Sequence, residues 1–341
     1  MAESENSKIE KRKIRNPHDR FVKESLSLKE NAQSFLENYL PEGILNLVDL
    51  GSLEIEKDSF VAQDLQDYYS DLLYKVRFAG HDGYIYLLFE HKSYCERWIS
   101  LQLLEYMLQI WKLKKTQKET LPIVIPLVLY HGKTQWKVAL RLSDLLEYKE
   151  ESLLRYVPDF QYVLYDLSGW KDEDIRGIKK LQVMLYLLKY VWSPDLFERL
   201  GKILRLLKDI PESDMDFVVS LTVYLLYTRE LELPKFAALV EENISRKGGE
   251  VAMTTAEKLI LQGEEIGIEK GRKEGRKEGR KEGRKEGKIE GIEALLDLKF
   301  GANGLSLMDE VRKISDMEKL TQFQQRIKTA RSVEELRQEL G

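Results

Sequence analysis

The chain has 341 residues, 43% of them hydrophobic, enough to bury the cores of two units of ordinary domain size and to exclude a wholly disordered protein. Its one cysteine, Cys95, excludes an intrachain disulfide and a cysteine-cluster zinc site, and suits a reducing, cytoplasmic setting. The formal charge of −4 conceals a basic stretch, Lys270 to Lys288, with ten basic and four acidic residues, so the placement of charge says more about polyanionic partners than its sum does.

The opening, MAESENSKIEKRKIR, is charged and lacks an apolar h-region, so residues 1–16 read as a mobile basic arm and not as a signal peptide. From His18, HDRFVKESLSLKENAQSFLENYL predicts one helix or two, with Phe21, Leu28, Ala32, Phe35 and Tyr39 on one face and an end at Pro41 and Gly43. Short strand pieces are expected near LEIEKDSFV. DLLYKVRFAG alternates Leu72, Tyr74, Val76 and Phe78 against Leu73, Lys75 and Arg77, the pattern of a half-buried strand. GYIYLLFEHK is apolar on both faces until its end, as in a covered sheet, and the intervening GHDG has the composition of a hairpin turn.

ERWISLQLLEYMLQIWKLKK predicts an amphipathic helix with Trp98, Leu101, Leu104, Leu108 and Trp111 on its apolar side. LPIVIPLVLYHG predicts a buried strand that is too short to cross a bilayer, and Pro126 requires a bulge or a free side there. DFQYVLYDLSGW predicts another strand, and residues 171–250 are mainly helical. Glycine then recurs every fourth position from Gly263 to Gly291, with GRKE repeated four times. Each interior glycine costs about 0.8–1 kcal/mol relative to alanine, against about 0.2–0.5 kcal/mol for each Glu–Lys pair. A helix over residues 251–291 is therefore marginal alone and needs flanking helices or a partner. Residues 292–341 read as a small helical unit.

The chemistry lies in the hairpin of residues 71–92. With the turn centred between His81 and Asp82, paired residues have numbers that add to 163, which sets Asp71 opposite Lys92 and Leu73 opposite Glu90. Glu90 and Lys92 share a face through the period of two, and Asp71 joins them, diagonal to Glu90. Two carboxylates and an ammonium at that spacing suit phosphodiester hydrolysis: hard oxygen ligands hold Mg²⁺ or a similar divalent cation, and the amine acts on the same water or phosphate. Taken alone, Glu90 and Lys92 also fit a plain surface ion pair at a strand end. None of the four histidines has metal-ligand spacing to another, and turn packing is the default for His131. No glycine-rich phosphate loop precedes a helix, so nucleoside triphosphate use is not indicated.

The order Asp71-x(18)-Glu90-x-Lys92, followed by a helix with Gln102-x-x-x-Tyr106, resembles the PD-(D/E)XK nuclease core. The wider text, NPHDRFVKESLS, YIYLLFEHKS, LLEYMLQIW, LPIVIPLVLYHG and IEALLDLKFG, resembles the Rpn family of recombination-promoting, transposase-like nucleases. The resemblance implies an α/β restriction-endonuclease-like core over residues 17–170, a central mixed sheet flanked by helices, then the helical region and tail. It implies a metal-dependent DNA endonuclease in which Asp71 and Glu90 hold the metal and Lys92 is the catalytic lysine. Gln102 and Tyr106 would position the site or the DNA backbone, and Glu24 on the first helix would be a further carboxylate near the metal. Ser70 stands where the motif's name has proline, and many family members carry glutamine in place of Lys92. The rival expectation is a catalytically silent DNA-binding or protein-interaction member of the same fold, assembled as a homo-oligomer through its C-terminal tail.

Overall fold

The computed structural model describes residues 16–56, 72–90 and 96–340. Contacts divide the chain into two units, residues 1–258 and 259–341.

In the first unit, Asn16 caps helix α1 (Pro17–Leu26): its side-chain oxygen accepts from the His18 and Asp19 backbone N–H groups, with Pro17 in the first turn, where its missing donor costs nothing. A break at Ser27 and Leu28 separates it from α2 (Lys29–Tyr39). Phe21, Ala32 and Phe35 are buried as expected, but Leu28 lies in the break and is exposed. Strand β1 (Val48–Glu56) pairs antiparallel with β2 (Leu72–Phe78), and β2 pairs antiparallel with β3 (His81–Glu90). Helix α3 (Ile99–Thr116) returns the chain to β4 (Ile123–Tyr130), parallel to β3, and β5 (Val163–Asp166) adds parallel to β4. The result is a five-stranded mixed sheet in the order β1-β2-β3-β4-β5. β5 pairs with β4 only from Leu127 onward, so Pro126 faces no β5 partner, one of the two arrangements its missing N–H requires.

The sheet is covered on both faces, and the strand patterns follow from that. Leu72, Tyr74, Val76 and Phe78 of β2, with Ile85, Leu87 and Phe89 of β3, enter the larger core with α1, α2 and the later helices. Each such side chain contributes roughly 1.5–3 kcal/mol on burial. Tyr74 is fully buried there and donates its hydroxyl to the Leu26 carbonyl at 3.0 Å, tying β2 to the end of α1. Tyr84, Tyr86 and Leu88 face the other way, toward Ile99, Leu103, Tyr106, Met107 and Ile110 of α3.

The face that α3 turns to the sheet differs from the expected one. Leu104 and Trp111 are only half-buried, and Trp98, Leu101 and Leu108 are exposed. The helix has two apolar faces, and a 3.6-residue period cannot say which of them meets the sheet.

The helical region comprises α4 (Lys179–Tyr190), α5 (Leu196–Arg205), α6 (Met215–Thr228) and α7 (Leu233–Asn243). Asp172 is held by Lys189 Nζ at 2.6 Å and by the Tyr190 hydroxyl. Burial alone would raise its pKa, but these hydrogen bonds outweigh that and hold its carboxyl below the ordinary 3.8. A depressed carboxyl stabilises the fold above its unfolded pKa, and the contribution disappears as pH falls through the folded one. Asp172→Asn should therefore be less stable than the parent at pH 7, by at most about 1 kcal/mol because solvent screens the half-exposed pair. The gap should close below pH 3.8 in urea titrations at several pH values; a gap independent of pH would contradict this account.

Helix α8 (Arg246–Phe300) carries the whole glycine-patterned stretch. From Gly263 to Gly287 nothing lies within 4 Å of where a glycine side chain would start. In the second unit, Ile292 and Leu296 of α8 close a separate core with Leu320, Phe323 and Ile327 of α9 (Met317–Thr329) and Leu336 of α10 (Val333–Leu340). No helix among the described residues is long and apolar enough to cross a membrane.

Candidate active site

The hairpin that carries the site turns two residues earlier than its composition suggests. Ala79 and Gly80 both have left-handed backbones, φ 48° and 87°, the signature of a two-residue primed turn that matches the strand twist. Phe78 therefore pairs with His81 and Leu73 with Tyr86, the partners' numbers adding to 159 and not to 163. The expected pairing of Leu73 with Glu90 is thus corrected by four positions. The GHDG composition misleads because Gly83 serves another purpose: a side chain there would come within 2.5 Å of the Phe78 ring, so the glycine makes room inside the strand. Both registers add to an odd number, so the assignment of faces survives. Glu90 remains on the face of Leu73, Tyr84, Tyr86 and Leu88, beneath α3.

Glu90 is the last residue of β3, opposite Tyr130 of β4, and only 3% exposed. A carboxylate so far from water needs hydrogen bonds or a cation around it, because an isolated buried charge costs several kcal/mol or more. Its donor chemistry, a hard anionic oxygen at a strand end, fits a hard divalent cation. Asp71 and Lys92 lie outside the described residues, and among the described residues no group of three acidic, histidine or cysteine side chains forms a metal cluster.

On α3, Tyr106 is buried and stacks on Tyr86 with ring centroids 4.7 Å apart. Gln102 lies one turn before it, and its side-chain nitrogen is buried with no hydrogen-bond partner among the described residues. The two therefore stand on the side of α3 that covers Glu90's face of the sheet. Glu24 is engaged elsewhere: Arg20 pairs with it at 2.6 Å and the Ser220 hydroxyl donates to it, linking α1 to α6.

A cluster behind the strand ends has no counterpart in local spacing. The His131 backbone N–H donates to the Glu90 carbonyl at 3.0 Å, extending the β3–β4 contact past the last strand residue. The His131 ring nitrogen Nε2 lies 3.1 Å from His18 Nδ1, which lies 3.0 Å from the Tyr224 hydroxyl. Burial pushes the Tyr224 phenol well above its ordinary pKa, so it stays a hydrogen-bond donor. Trp192 stacks on His131 at 5.6 Å, with Lys133 Nζ 4.8 Å from the Trp192 ring centre. The two histidines are 113 positions apart, a separation that hides them from any motif search.

Fold and strand-end acid together define a mixed α/β protein with a PD-(D/E)XK-like core. The chain belongs to the family described as "Putative transposase, YhgA-like", whose model matches residues 16–217. It is 30% identical over 258 residues to the inactive recombination-promoting nuclease-like protein RpnE of Escherichia coli K12, covering 75% of this chain and 85% of that protein. It is 28% identical over 250 residues to the recombination-promoting nuclease RpnD of Escherichia coli O157:H7, covering 71% and 94%. With the recombination-promoting nuclease RpnC of Escherichia coli K12 the identity is 29% over 258 residues, covering 74% and 82%. No solved structure is significantly similar to the chain.

Proposed function

We propose that the protein is a metal-dependent endonuclease that hydrolyses DNA phosphodiesters. The observation that carries this reading is the buried Glu90 carboxylate at the end of β3, on the face shared with Gln102 and Tyr106, in a chain whose relatives are named recombination-promoting nucleases. Asp71 and Glu90 would hold the cation, Mg²⁺ or a similar one. When bound, it supplies charge neutralisation at the phosphate and a more acidic water. Lys92 would orient or deprotonate the attacking water and stabilise the pentacoordinate phosphorus. The Gln102 amide, unpartnered among the described residues, would hydrogen-bond the site or the DNA backbone, with Tyr106 beside it.

The test is nicking of supercoiled plasmid by purified protein. Activity with Mg²⁺, its loss with chelator, and its loss in Asp71→Ala with the fold retained support the proposal; undiminished nicking by Asp71→Ala rejects the site. Lys92→Gln should be milder than Asp71→Ala. The name of RpnE, an inactive nuclease-like protein, favours a second reading: a silent member of the fold that binds DNA or protein and assembles through its C-terminal tail. DNA binding with no nicking under any divalent cation would select it.

A further inference from the structure

Helix α3 keeps one apolar face for the sheet and shows a second to solvent. Trp98, Leu101, Leu104, Leu108 and Trp111 follow one another at intervals of three and four, the spacing of a helix–helix seam. Trp98 is 49% exposed, Leu101 42% and Leu108 41%, while Ile99, Leu103, Met107 and Ile110 fill the buried side. A contiguous stripe of this kind, with charge along its edge, marks an interaction surface better than scattered apolar residues do.

The edge charges identify the occupant. Glu105 and Lys112 are seven residues apart, so at 3.5–3.6 residues per turn they occupy the same flank of the stripe, two turns from each other. Both are exposed, and neither has an ion-pair partner among the described residues. Seven residues is too far for them to pair within one helix. When two identical helices pack antiparallel about a two-fold axis, each flank meets the same flank of its partner. Glu105 then faces Lys112 of the second copy, and Lys112 faces its Glu105, on either side of a centre near Leu108. In a parallel pair that flank would meet the opposite one, where Ser100 and Met107 are already buried in their own fold.

We propose that a second copy of this chain docks on α3, antiparallel, with the Trp98–Trp111 stripe at the centre and two reciprocal Glu105–Lys112 pairs at the rim. A two-fold contact is self-complementary by necessity, and this flank is. The stripe is the core of an interface and not all of it, since a stable pair buries about 800 Å² per partner. The inference does not depend on nuclease activity.

The experiment is sedimentation equilibrium of the full-length protein and three charge variants, all at exposed positions where the fold tolerates change. The parent should dimerise with a Kd below about 100 μM. Glu105→Lys and Lys112→Glu should each weaken the dimer about tenfold, because each turns two attractions into two repulsions. The double swap should return the Kd to within about twofold of the parent, since it rebuilds both pairs with the signs exchanged. A monomeric parent would overturn the proposal and leave the stripe to a different partner. An oligomer unmoved by the single swaps would overturn it and place the contact elsewhere, such as along α8. A double variant weaker than either single one would overturn the antiparallel geometry.

Discussion

Glu90→Gln is expected to lower magnesium-dependent plasmid nicking by at least about 100-fold while leaving the melting temperature equal or higher. Glutamine keeps the size and one acceptor oxygen but removes the negative charge that a hard cation needs. Loss of one oriented electrostatic contact at a reacting centre commonly costs that much in rate. The stability half of the result has a different cause. Glu90 is 3% exposed, and replacing a buried charge by a neutral isostere removes a desolvation penalty that the fold otherwise has to offset. Activity lost with stability kept separates a functional acid from a structural one. Undiminished nicking would remove Glu90 from the mechanism, and a collapse of the melting temperature would show that its charge holds the strand ends together.

Gly132→Ala should have the largest effect on stability, about 1–3 kcal/mol and toward the upper end of that range. A methyl group at Gly132 would overlap the Tyr130 hydroxyl and ring, reaching 2.7 Å from Tyr130 Cε2. Tyr130 has no exposed surface and its ring meets Trp136 edge-on at 4.8 Å, so it cannot swing aside. The backbone must shift instead, and His131, which bonds the Glu90 carbonyl and His18, shifts with it. Urea unfolding should show a lower midpoint with an unchanged slope, and nicking should weaken along with it. A midpoint equal to the parent's would mean that the turn after β4 is looser than the packing implies.

Much of this architecture is legible in local pattern. The alternation of Leu72, Tyr74, Val76 and Phe78 predicts β2 and the face it buries, because a strand's two-residue period leaves one choice once one face is polar. The apolar run of β3 predicts a strand covered on both sides, and the missing donor of Pro126 predicts the place where β4 has no neighbour. The placement of Glu90 beneath α3 also follows from parity, which survived a four-position error in register.

The amino-acid sequence by itself determined which segments become strands and helices, and that an acid ends β3, because propensity and periodicity act over a few neighbouring residues. Tertiary structure decided the rest. Ala79 and Gly80 became the turn because Gly83 was needed under Phe78, a contact between strands. The face of α3 was chosen by the tyrosines of β3, since both of its faces are apolar enough for burial. His18 met His131 only when α1 came to rest against the end of β4, and no short-range rule spans 113 residues.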